Sequence, residues 1–250
     1  MLDRYYETLQ DIYRLSSIKG LLDWDHQVNL PPLGADERGE QLKLMSTLIH
    51  QKLTSPEFVA LVEKLRHRTD LSPEDEVNVR ESWRKIDRSR KLPDSFVAER
   101  SRLEAHSYHE WTLARPANDF SRVAPLLEKL VEMARQEAEM IGYEEHPYDA
   151  LLEDYEPYGR LSQIKPLLLD LGEQLSGIIP TIISQQTPLP SLQGGYSEAQ
   201  QHALCQRITS DIGYSFESGR LDKAPHPFET SLGPHDIRIT TRYDEANYLS

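Results

Sequence analysis

The chain has 250 residues, of which 38% are hydrophobic and 28% charged, and its net charge is -13. A chain of this size can bury a sizeable core in one large domain or two small ones. Its acidic balance, with Lys and Arg scattered among acids, excludes a protein that holds phosphate backbones non-specifically. The single cysteine, Cys205, excludes an intrachain disulfide and fits a reducing compartment, its thiol reading as a small core residue within a helix.

The first stretch, "MLDRYYETLQDIYRLSSIKG", carries charges throughout and matches neither a signal peptide nor a membrane anchor. No run of about 18 apolar residues occurs anywhere, so no bilayer-spanning segment is expected. Apolar residues recurring at helical spacing predict helices near 3–22, 36–52, 57–68, 73–90 and 95–116. Two of these starts carry full punctuation. Ser55-Pro56-Glu57 and Ser72-Pro73-Glu74-Asp75 each place a capping hydroxyl, a proline at the first helical position and acids where the helix dipole is positive. Asp94, after Pro93, reads as another N-cap.

Beyond a turn region, Val123, Leu126, Leu127, Leu130, Val131, Ala134, Ala138 and Ile141 form one apolar stripe, with Gly142 as a C-cap. A loop is expected over 143–160. A second stripe follows from Leu161 through Ile182, in which Pro180 is expected to kink the helix or end it early. A Pro/Gly-rich connection spans 187–196, and Ser197 with Gln200 has the form of a capping box opening a helix at 198–212.

After Gly213 the punctuation tightens. Pro227 to Leu232 reads as one strand, Gly233-Pro234-His235 as a turn, and Asp236 to Tyr243 as a second strand. In the latter Ile237, Ile239, Thr241 and Tyr243 alternate with Asp236, Arg238, Thr240 and Arg242. The expected fold is mainly α, an elongated multi-helix assembly with a small β-hairpin near the C-terminus. Residues 1–222 form the helical region. Residues 223–250 form the hairpin and the start of a further helix, in the same domain.

Motif by motif, little chemistry is evident. A zinc-peptidase helix places two histidines on one face as His-Glu-x-x-His. The nearest string, His109-Glu110-Trp111-Thr112-Leu113, has leucine at the second position. His106 and His109, three apart on an expected helix, read as exposed or half-buried helix residues rather than ligands, and the acids Glu153, Asp154 and Glu156 read as a solvated loop. No G-x-S-x-G, P-loop or G-x-G-x-x-G occurs. His226 and His235 read as turn residues beside the hairpin.

The hairpin also carries a resemblance. His226-Pro227-Phe228 and Asp236-Ile237-Arg238-Ile239-Thr240 resemble the His-Pro-Phe and Asp-x-Arg-x-Thr signatures of the carboxypeptidase Taq family of metallocarboxypeptidases. The likeness extends through "GRLDKAPHPFETSLGPHDIRITTRYDE", and earlier through "LLDWDHQVNLPPLGADERGEQLKLMSTLIH", "WTLARPANDF" and "GYEEHPYDALLEDYEPYG". It implies a mostly helical fold with a deep groove and a small sheet beside it. It also implies removal of C-terminal residues from peptides with broad specificity, in cytoplasmic homodimers. In that family one divalent metal, zinc or cobalt, is held by a His-Glu-x-x-His helix and a downstream Glu, and the helix Glu activates the metal-bound water.

The resemblance places His226, Pro227, Phe228, Asp236, Arg238 and Thr240 at the substrate groove. It places no metal ligand and no catalytic residue on this chain. Arg238 either orients a carboxylate bidentately or pairs with an Asp in the sheet. The metal helix would follow the "RYDE" stretch, and Ser250 falls short of it. Two expectations result. The chain is the N-terminal part of such an enzyme, inactive alone and binding no metal, with either self-association or pairing with a C-terminal half. Alternatively it is a non-catalytic helical remnant or interaction module. Neither nucleic acid nor membrane is an expected partner.

Overall fold

The computed structural model describes residues 1–185 and 195–245. Its helices are α1 (Leu2–Val28), α2 (Ala35–Leu53), α3 (Pro56–Arg66), α4 (Pro73–Ser89), α5 (Asp94–Ala117), α6 (Ala124–Ile141), α7 (Pro147–Leu152), α8 (Leu161–Gln185) and α9 (Glu198–Asp211). Strands β1 (Gly219–Lys223), β2 (Glu229–Gly233) and β3 (Asp236–Thr241) follow.

Local chemistry sets most of the helix starts. The Ser55 and Ser72 hydroxyls accept the Phe58 and Asp75 backbone N–H groups, and Ser197 with Gln200 closes a reciprocal capping box. Gly142 takes the positive φ of 83° expected of a residue ending a helix. Asp94 is the first helical residue rather than the cap, Pro93 occupying the cap position. The Asp94 carboxylate instead accepts from Gln51 Nε2 of α2 at 2.5 Å. Helix α8 runs through Pro180 to Gln185. The expected 143–160 loop holds α7, whose start is capped by His146 Nδ1 accepting from the Tyr148 N–H at 3.1 Å. Most of the 187–196 connection lies outside the described residues.

The chain divides into two compact units, one formed by Met1–Val131 with Tyr196–Ser250 and the other by Glu132–Gly195. In the first unit Tyr5 of α1, Phe58, Val62 and Leu65 of α3, and Val79 and Ile86 of α4 form a core in which no residue is more than 2% exposed. The Tyr5 hydroxyl is satisfied at 2.8 Å by Ser82. Helix α2 packs on α1 and α5. Arg38 ties α2 to α1 by donating to the Leu22 carbonyl and the Asp25 carboxylate, both at 2.7 Å.

The sheet has three strands in the order β1-β3-β2. The expected hairpin is β2–β3, antiparallel, with an irregularity between Ser231 and Gly233. Strand β1 is an addition to that expectation. It runs parallel to β3, pairing Arg220 with Arg238 and Asp222 with Thr240, so β3 is the central strand. Its sequence, Gly-Arg-Leu-Asp-Lys, has one apolar side chain and no β-branched residue, so nothing local announces a strand. Gly219 is required where the chain enters it. A Cβ there would fall well inside 3.0 Å of the Ile237 carbonyl and the Tyr214 hydroxyl.

Helix α8 belongs to the second unit, where its first turn is anchored by the Leu161 N–H donating to Asp149 Oδ1 at 2.7 Å. From Lys165 to its end it is exposed throughout. By length and composition alone it is long and apolar enough to cross a bilayer, with mean hydropathy 1.2 in its best window. This differs from the expectation of no such segment, because Asp170, Glu173 and the polar positions between them break every continuous apolar run while the average stays high.

Candidate functional site

The signature residues meet around β3. Thr240 is buried at 8% exposure and fixes the His226-Pro227-Phe228 turn from below. Its hydroxyl accepts the Phe228 N–H at 2.7 Å and donates to the Phe228 carbonyl at 3.0 Å, and its own N–H donates to that carbonyl at 2.9 Å. Proline at 227 cannot donate. Phe228 therefore carries the first backbone donor after the turn, and Thr240 satisfies it. Further along, Arg115 of α5 donates to the Pro225 carbonyl at 3.0 Å. His226 and Pro227 themselves stand exposed, while Phe228 is half-buried.

Arg238 makes a fork-to-fork pair with Asp236, Nε to Oδ1 at 2.8 Å and Nη2 to Oδ2 at 2.9 Å. That guanidinium holds the Asp236 carboxyl below the ordinary carboxylate range. Of the two roles open to Arg238, the structure shows the pair with Asp; three of its five N–H donors remain beyond that fork. The Arg238 side chain is only 16% exposed, because its guanidinium carbon lies 4.3 Å from the ring centre of Trp24 on α1.

Residues that sequence reasoning missed complete the arrangement. Arg220, the register partner of Arg238, also lies over Trp24, at 4.8 Å, and pairs bidentately with Asp222 at 2.6 Å through each nitrogen. Trp24 is 4% exposed. Two Arg–Asp forks thus share one indole, a stacking geometry that desolvation strengthens. The available signal was the spacing: Arg220-Leu221-Asp222 repeats the two-residue period of Asp236-Ile237-Arg238 in reverse order. Tyr214 adds a brace, its hydroxyl donating to the Ile237 carbonyl at 2.6 Å and lying 3.1 Å from the Arg220 carbonyl.

Helix α1 covers this face of the sheet. Gly20 lies so close that a Cβ would sit 3.0 Å from Leu232 Cδ2 and 3.5 Å from Thr230 Oγ1. The face bearing Asp236, Arg238 and Thr240 is therefore the covered one, despite its polarity. Beside β1 lies a cavity of about 480 Å³, lined by Asn29, Glu198, His202, Asp222, Lys223 and Tyr243 among others. There the Tyr243 hydroxyl contacts His202 Nδ1 at 2.8 Å, and burial pushes Tyr243 up to about 12.

The other candidate residues stay dispersed. His106 is exposed and His109 half-buried on α5; Glu110 is engaged by Arg122. Cys205 is half-buried on α9 rather than deep in a core. Glu153 accepts the Tyr158 N–H at 2.9 Å, closing a turn that holds Tyr158 at positive φ. His235 is exposed in the β2–β3 turn.

The model of the carboxypeptidase Taq (M32) metallopeptidase family matches residues 4–250. The chain belongs to that family. It is 33% identical to thermostable carboxypeptidase 1 of Thermus thermophilus, over 96% of this chain and 51% of the relative. It is 31% identical to carboxypeptidase 1 of Bacillus subtilis, over 98% of this chain and 49% of that protein. Among solved structures it superposes on the BsuCP crystal structure with a TM-score of 0.94 at 30% identity, covering 99% of this chain and 50% of the other. On the M32 carboxypeptidase from Deinococcus radiodurans R1 the TM-score is 0.84 at 32% identity, with 99% and 50% covered. The chain thus spans about half the length of the M32 relatives it matches.

Full-length M32 metallopeptidases use a divalent metal. Among the described residues of this chain no group of three or more His, Cys, Asp or Glu side chains gathers to hold one. At the sheet, both aspartates are committed to arginines and two guanidinium cations stand beside them, so these residues do not fit a cation.

Proposed function

We propose that this chain is the N-terminal part of a metal-dependent M32 carboxypeptidase that removes C-terminal residues from peptides with broad specificity. In this reading it supplies one wall of the substrate groove. The observation that carries it is the Arg238–Asp236 fork on Trp24, beside the turn pinned by Thr240. Asp236 orients the guanidinium, the indole desolvates one side of it, and the remaining N–H donors are left for a carboxylate. A peptide C-terminus is such a carboxylate. His226, Pro227 and Phe228 then form the adjoining groove wall.

Activation of water in this reaction class requires a divalent metal, zinc or cobalt, and a general base. The sequence contains no His-Glu-x-x-His, so the chain by itself binds no catalytic metal and turns over no peptide. Cytoplasmic location and homodimeric assembly of the complete enzyme belong to the same reading. The alternative, a non-catalytic helical remnant or interaction module, rests only on the absence of His-Glu-x-x-His from these 250 residues.

The test is release of the C-terminal amino acid from blocked dipeptides in the presence of cobalt. The purified chain is expected to release none. Mixed with the half of Bacillus subtilis carboxypeptidase 1 that it does not match, it is expected to gain chelator-sensitive activity, lost again in Arg238→Lys. Chelator-sensitive turnover by the chain alone would overturn the inactive-part reading. No activity in the mixture would favour the interaction module.

A further inference from the structure

We propose that the apolar stripe of α8 is the docking surface for the other half of the M32 fold. The proposal rests on the reading above and specifies its partner surface. Leu167, Leu168, Leu171, Leu175, Ile178 and Ile182 are each 45–66% exposed. At about 100° per residue they occupy one arc roughly 100° wide, the width of a helix face made for burial. Glu173 lies on the opposite side and Asp170 on one flank. Leu161 and Asp149 tie down the first turn, and among the described residues the stripe has no cover over most of its length.

Three occupants differ in chemistry. A lipid surface calls for Lys and Arg on the polar face, but α8 carries Lys165 alone against Asp170 and Glu173, on a chain of net charge -13. A second copy of this chain would bring the same excess negative charge. The remaining half of an M32 chain is favoured by length. Relatives whose backbones superpose on 99% of this chain at a TM-score of 0.94 carry as much chain again beyond the match. A fold twice as large is built on the same α8 backbone, and a contiguous exposed apolar helix face marks an interaction site.

The experiment measures binding of the full chain to the unmatched half of Bacillus subtilis carboxypeptidase 1 by calorimetry. A variant combining Leu171→Gln, Leu175→Gln and Ile178→Gln should bind at least tenfold more weakly, while Glu173→Gln binds like the parent. These side chains are exposed, so circular dichroism and melting of the variant should match the parent. Binding that ignores the triple substitution would remove α8 as the surface while leaving the N-terminal-part reading intact. Loss of both binding and reconstituted activity in the parent mixture would remove that reading, and this proposal with it. Two further results overturn the proposal in favour of another occupant. One is a parent dimer in light scattering that the triple variant dissolves. The other is co-sedimentation of the parent, but not the variant, with phosphatidylcholine–phosphatidylglycerol vesicles.

Discussion

Helices α3 and α4 and helix α8 announce themselves in the sequence in the same way, by apolar residues at helical spacing, yet they end in opposite environments. Val62, Leu65 and Ile86 are fully buried against Tyr5 and Phe58. Leu171, Leu175 and Ile178, equally periodic, face solvent. Periodicity identifies a face that needs a cover; it does not identify the cover. For α3 and α4 the cover lies within the first unit. For α8 we assign it to the half of the M32 fold that this chain does not span.

The largest expected contrast is a pair of truncations. Leu65→Ala should lower the unfolding free energy by ~2–5 kcal/mol, since it leaves a cavity in a closed core. Leu171→Ala should stay within ~0.5 kcal/mol in the isolated chain, as exposed positions do. Urea melts of both variants measure this, and equal losses would mean that α8 already has a partner.

Gly219→Ala extends the comparison to the sheet. Its Cβ would strike the Ile237 carbonyl, which β1–β3 pairing cannot move away, so ~1–3 kcal/mol should be lost. Thr240→Val tests the polar clip more gently. It orphans the Phe228 N–H at a cost of ~1–3 kcal/mol, at the low end because Phe228 is only half-buried. Hydrogen exchange at Phe228 should then rise before that of the α3–α4 core. Unchanged exchange at Phe228 would show that the turn is held by other contacts.

The smallest effect concerns pH. Asp236 has its folded value held down by Arg238, so the unfolded state binds the proton more readily. The fork's contribution is complete above the ordinary carboxylate range of about 4 and is lost as pH falls through the lowered folded value. With the Asp236 side chain 44% exposed, that contribution is below ~1 kcal/mol. Asp236→Asn should flatten the acid limb of a stability–pH curve slightly and leave stability near neutral pH little changed. A large neutral-pH loss would mean that Asp236 does more than orient Arg238.

The same contrast shows what was legible in advance. Caps at Ser55, Ser72 and Ser197 depend on residues within one turn, and the sequence carries them openly. The β2–β3 hairpin, joined by a short turn, was legible for the same reason. Strand β1 was not, because it pairs with β3 only after β2 has intervened in the chain, and its own residues are mostly polar. The six signature residues were singled out by resemblance, and the structure places Asp236, Arg238 and Thr240 in contacts that explain their spacing on one strand face. Trp24 and Arg220 were invisible, since an aromatic platform on the first helix reads as core until the sheet comes to rest on it. Asp94 failed as a cap because a tertiary partner, Gln51, competes for its carboxylate.

The most direct measurement of the central claim is hydrogen exchange along α8, compared with α3 and α4, before and after adding the unmatched half of Bacillus subtilis carboxypeptidase 1. In the chain alone, amides from Leu167 to Ile183 should exchange far faster than those around Val62 and Ile86. Addition of the second half should slow the α8 amides and leave the α3 and α4 amides as they were. Protection of α8 in the chain alone at the level of the α3–α4 core, with no change on addition, would contradict the account.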